Sequence, residues 1–254
     1  MKRIFFTAHC LMLCMLMNIS FSKAQDKEMT ARIVEQFRNM SDTYKKAGTL
    51  SYAMKYTYAN ESTPASILDS LTGNVEINTS GYRCVIDSTE TISNDRYAIM
   101  LFKKDKVMYL SKPSKNQAAF DALSMMDSTL AAIPGLKGSI ALNNNERIIT
   151  LSFPAGNKYK EIRITADTTT GYIKQARYIV KTEQLLDPQL SKASVPLTGY
   201  DAYAIVDLKL YDYTKKTSDS SIFDEKTFFH KEGKEYKTTE AYKDYKIFLG
   251  TPNL

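Results

Sequence analysis

Residues 70–111, SLTGNVEINTSGYRCVIDSTETISNDRYAIMLFKKDKVMYLS, decide the fold. Four strands are legible in it: Ser70–Thr79, Tyr82–Ser88, Arg96–Phe102 and Lys106–Ser111. The joints at Ser80-Gly81, Ser93-Asn94-Asp95 and Lys104-Asp105 are short and polar, and they interrupt β-branched and aromatic runs. A parallel partner needs a crossover of a dozen or more residues, so strands joined this tightly lie antiparallel to their neighbours. The stretch reads as a meander and not as a βαβ unit.

A second meander follows from Glu146 to Thr182, with strands at Arg147–Phe153, Lys158–Asp167 and Tyr172–Lys181, preceded by SIALNN. Ile162 and Ile164 share one side of its middle strand, and Glu161, Arg163 and Thr165 the other. Upstream, Asp26–Lys46 reads as an amphipathic helix. Met29, Ile33, Phe37, Met40 and Tyr44 recur at helical spacing, and Gly48 follows as a stop. Leu50–Ala59 then alternates strictly, placing Leu50, Tyr52, Met54, Tyr56 and Tyr58 on one face.

Between the meanders, Asn116–Ile133 carries Phe120, Leu123, Met126, Leu130 and Ile133 at helical spacing and is closed by Pro134-Gly135. This second helix packs on one meander or lids a cavity between the two. A late strand spans Ala202–Tyr213, with short strands expected near Lys226–His230 and Tyr245–Leu249.

The N-terminus has the anatomy of a secretory signal. Lys2 and Arg3 precede an apolar run, and Ser22-Lys23-Ala24 offers a small-x-small cleavage site before Gln25. The run is interrupted and too short for a transmembrane anchor, which needs ~20 apolar residues. Neither Cys10 nor Cys14 sits where a lipoprotein signal requires it. Cleavage after Ala24 lowers the net charge from +6 to +3, leaving a mildly basic chain with no nucleic-acid signature. It also leaves Cys84 as the lone cysteine and His230 as the lone histidine. Such a chain has no internal disulfide and too few His/Cys ligands for a zinc site. No catalytic constellation and no cofactor motif are legible, and the chain reads as not an enzyme. The expectation is therefore a signal peptide, 1–24, and a single periplasmic or secreted β-rich domain, 25–254.

In order, the pieces are the helix, the tyrosine-rich strand, TGNVEINTSGYRCVID, KVMYLSKPS, the intervening helix, EIRITADTTTGYIKQARYIV and VDLKLYDYTKKTSDSSIFDEKTFF. This sequence of elements resembles the periplasmic lipoprotein-carrier (LolA/LolB-like) superfamily, in secreted proteins of Bacteroidetes type. The resemblance runs from about Asp26 to Phe229 and rests on Gly73, Tyr82-Arg83, Gly171 and the Ser221-x-Phe223-Asp224 element. It implies an α+β, β-dominated fold. A curved antiparallel half-barrel of about 10–12 strands would carry an N-terminal helix and a helical lid or plug. It also implies a concave apolar face for lipid acyl chains, and a lid latch at Arg83. The extension from about residue 230 has no counterpart in that family.

Two functions follow. In the first, the protein is a soluble carrier for a lipid or a lipoprotein acyl chain. Its apolar cavity is lined by Tyr52, Met54, Tyr56, Met100, Met108, Phe120, Leu123, Met126, Ile162 and Ile164, and each buried CH₂ contributes ~0.8 kcal/mol. In the second, it is a cell-envelope structural or protein-interaction module without a small ligand. Its 17 tyrosines suit an interface, and Lys231–Leu254 is an exposed docking segment.

Overall fold

A computed structural model describes residues 28–113, 133–185, 198–215, 219–251 and 254. The expected signal and nearly all of the expected second helix, including Phe120, Leu123 and Met126, lie outside them. Helix α1, residues 28–47, opens the described chain. It buries Ile33, Phe37, Met40 and Tyr44, the apolar stripe of its sequence. Gly48 ends it at φ +69°, a left-handed conformation that glycine adopts without strain.

The strands are β1 Leu50–Asn60, β2 Ile67–Asn78, β3 Gly81–Ile86, β4 Thr89–Ser93, β5 Ala98–Phe102 and β6 Val107–Ser111. There follow β7 Lys137–Asn143, β8 Glu146–Ser152, β9 Tyr159–Asp167, β10 Ile173–Lys181 and β11 Tyr203–Thr214. Beyond them come β12 Phe229–Glu232, β13 Glu235–Thr238 and β14 Lys246–Leu249. Twelve form one large, curved, open sheet in the order β14-β6-β5-β4-β3-β2-β1-β11-β10-β9-β8-β7. β1 lies inside the sheet, flanked by a wing built outward from β2 and a wing built inward from β7. The chain thus leaves β6 and re-enters the sheet at its opposite edge.

The opening stretch contains five strands, not the four expected. Asp87 takes φ 50° and turns the chain within what read as one segment, so Thr89–Ser93 folds back as β4. Aspartate tolerates this left-handed conformation better than most residues, and the turn is only two residues long. The sheet is antiparallel except at one edge, where β14 pairs parallel to β6. Residues after 230 are therefore not a free tail. β12 and β13 form a hairpin, β14 extends the main sheet, and Leu254 accepts hydrogen bonds at its carbonyl from Tyr236 (2.8 Å) and Lys231 (3.2 Å).

Each face of the sheet has its own core. Across β1, β2 and β3, Tyr52, Val75 and Cys84 are register partners and lie under α1 with Met54, Ile162 and Ile164. On the other face, Ile92, Ile99, Leu101, Met108 and Leu110 are sealed by Phe223, Phe228 and Phe229. Asn94 fastens that second layer, donating to the Phe223 carbonyl and the Glu225 carboxylate at 2.9 Å each.

Gly73 sits in β2 between Met54 and Ile86. A Cβ there would lie 2.5 Å from the Val85 carbonyl oxygen and 3.1 Å from the Met54 methyl. Backbone cannot yield as a side chain can, so Gly73→Ala should cost about 1–3 kcal/mol in urea unfolding. Gly138→Ala should cost less, because the atom it meets is the rotatable end of Ile33. An unchanged midpoint for Gly73→Ala would contradict the close approach.

Candidate functional site

One row of side chains crosses the helix-bearing face from Tyr52 through Val75, Cys84, Thr91, Met100 and Tyr109 to Phe248. Each residue is the register partner of the next. Its first half is sealed by α1. Burial pushes the Tyr52 hydroxyl well above its ordinary pKa and raises that of the Cys84 thiol, so both stay neutral. Beyond Thr91 the character changes. Met100, Tyr109 and Phe248 are 39%, 43% and 46% exposed.

Met100 and Tyr109 border a groove of about 380 Å³, lined also by Thr91, Ala98, Phe102, Ser111 and Gly250. Its volume falls in the usual small-molecule range of ~300–1,000 Å³. No charged side chain lines it among the described residues. Tyr109 stacks on Phe248 at 5.4 Å and meets the edge of Phe102 at 5.8 Å, which holds the aromatic wall upright.

The structure separates the residues expected to line one cavity. Tyr52, Met54, Ile162 and Ile164 are buried against α1, with Tyr56 half-buried beside them. Met100 lies on the same face but in the exposed groove. Met108 lies on the other face, wholly buried in the second core. Arg83 also points away from α1. Its guanidinium donates to Glu76 at 2.9 Å and to Glu90 at 2.6 Å, and Glu90 takes a further bond from Lys103 at 2.7 Å. Phe102, Tyr109 and Phe248 were not anticipated; the alternation of RYAIMLF against KVMYLS carries the signal for the first two.

The end of α1 is tied down by a ring of hydrogen bonds. Tyr44 donates to the Tyr213 hydroxyl (2.7 Å), Tyr213 donates to the Ile173 carbonyl (2.7 Å), and the Ile173 N–H donates back to Tyr44 (3.0 Å). Burial, partly offset by these bonds, pushes Tyr44 up to about 12, so the ring stays neutral and closed in the physiological range.

No family model matches the chain, and no curated protein does. It is similar to several solved structures. One is an uncharacterised conserved protein from Thermus thermophilus, with TM-score 0.41 and 9% identity over 73% of this chain and 91% of that one. A LolA superfamily protein from Nitrosomonas europaea gives TM-score 0.34 and 9% identity over 77% and 97%. Lipoprotein LppX from Mycobacterium tuberculosis gives 0.36 and 12% over 74% and 98%. No helix among the described residues is long and apolar enough to cross a membrane.

Two outcomes test these placements. Tyr44→Phe removes a donor to Tyr213 and the acceptor of a buried amide, and should cost about 1–3 kcal/mol in chemical denaturation. For Glu90, burial alone would raise the carboxyl pKa, but Lys103 and Arg83 outweigh it and hold the value below the ordinary one. A depressed folded value means stability present at neutral pH and lost as pH falls through it. Glu90→Gln should thus be less stable at pH 7 and lose less stability between about pH 5 and 3. Parallel acid limbs for variant and parent would refute this.

Proposed function

We propose that this protein is a binding or carrier protein for an apolar ligand, a lipid or a lipoprotein acyl chain, acting in the periplasm or outside the cell after loss of its N-terminal signal. The observation that carries the reading is the Met100–Phe102–Tyr109 groove. It is an apolar channel of about 380 Å³ on the helix-bearing face, left outside the core that α1 seals. Because no charge lines it among the described residues, recognition there is by burial and not by headgroup contact. At ~0.8 kcal/mol per CH₂, affinity should rise with chain length.

Native mass spectrometry with organic extraction of the protein from a periplasmic expression tests the reading. Acyl lipid should co-purify. Met100→Lys, which places an ammonium in the groove and alters no core residue, should remove most of it while the circular dichroism spectrum is kept. A lipid-free protein that also refuses added fatty acid would overturn the carrier reading and favour an envelope interaction module.

A further inference from the structure

On the other wing of the helix-bearing face, a second cavity of about 250 Å³ opens between β9, β10 and β11. Its walls are Tyr159, Tyr178, Val180, Leu185 and Val206, with Lys158 and Gln184 at the mouth. Register places Val206 opposite both Tyr178 and Tyr58, so this cavity shares its face with the Tyr52 row but none of its lining with the Met100 groove.

We propose that this cavity is a second binding site, for a single-chain amphiphile with an anionic head. Three observations carry the assignment. First, the walls are aromatic and aliphatic, and the volume lies just below the ~300–1,000 Å³ typical of small-molecule sites, which suits one unbranched chain. Second, Lys158 is uncompensated. Its ammonium sits 5.1 Å from the centre of the Tyr159 ring, and among the described residues no carboxylate pairs with it. The lysines near it are already engaged, Lys160 with Glu61 at 2.5 Å and Lys181 with Glu183 at 3.9 Å. A cation held over an aromatic face at an apolar mouth is placed to meet a carboxylate or phosphate whose chain enters the cavity.

Third, the hydroxyls of Tyr159 and Tyr178 have no hydrogen-bond partner among the described residues. They contrast with Tyr44 and Tyr213, whose hydroxyls are paired. The Tyr159 and Tyr178 rings lie 6.3 Å apart, so two donors stand along one wall. Burial pushes Tyr178 up to about 12, which keeps it a neutral donor at physiological pH. The site uses none of the groove's residues, so either assignment can fail without the other.

Calorimetric titration of the purified protein with dodecanoate, dodecyl phosphate and dodecanol tests the site. At least one anionic ligand should bind at least tenfold more tightly than dodecanol. Lys158→Glu should abolish that preference, Lys158→Arg should keep it, and Lys160→Gln and Met100→Lys should leave it unchanged. Dodecanoate ahead of dodecyl phosphate assigns a fatty acid, the reverse order a phosphate ester, and either order supports the site. Equal affinity for dodecanol, indifference to Lys158→Glu, loss of the preference in Met100→Lys, or no binding of either anion would overturn it.

Discussion

Among the described residues one helix, α1, faces a twelve-stranded sheet and cannot cover it alone. Residues 28–47 make a rod about 30 Å long at 1.5 Å per residue, whereas twelve strands at ~4.8 Å spacing extend about 50 Å across. The buried core that α1 shares reaches Cys84 on this wing and does not include Met100 or Tyr109. The same row of side chains that forms a sealed core beside β1 therefore becomes an exposed groove at β5 and β6. Among the described residues, both apolar cavities on this face lie beside the core that α1 seals.

The opposite face meets the same geometric demand by other means. There the stretch from Ile222 to Tyr245 folds back and supplies Phe223, Phe228 and Phe229, sealing β4, β5 and β6. Further along that face, near β2 and β3, the packing is ionic. Glu76, Arg83, Glu90 and Lys103 form a chain of pairs across β2, β3, β4 and the turn after β5. Arg83 thereby links β2 to β4, and the end of α1 is fastened by the Tyr44–Tyr213–Ile173 ring. Aromatic hydroxyls suit that task, because each presents an apolar ring to the core and one polar atom to the backbone.

Much of this was legible in the sequence. The α1 stripe, the alternation of β1 and the two meanders follow from periodicity, and the turn residues gave most of the strand order. The groove was harder because it depends on register parity, which a list of apolar residues does not contain. Around the Lys103–Lys106 turn, Met100 pairs with Tyr109 and Leu101 with Met108. An even-numbered residue thus faces an odd-numbered partner, and the two methionines chosen together point to opposite faces. Asp87 misled for a related reason: a non-glycine residue in the left-handed region turns the chain without the Gly or Pro that usually marks it. The parallel pairing of β14 with β6 joins strands far apart in the chain, and no local pattern encodes that.

That pairing bears on how the chain survives its own synthesis. β6 is made well before β14, and until β14 arrives its outer edge is a row of unpaired amides and carbonyls flanked by VMYLS and AIMLF. Such an edge invites intermolecular strand pairing. Lys103, Lys104 and Lys106 lie between the two strands, and Lys112 follows β6. In the folded protein Lys103 and Lys104 neutralise Glu90 and Asp87, and Lys106 rests over the Tyr245 ring. Charges flanking an apolar hairpin disfavour its pairing with other copies, and these four lysines stand in that position before β14 is made.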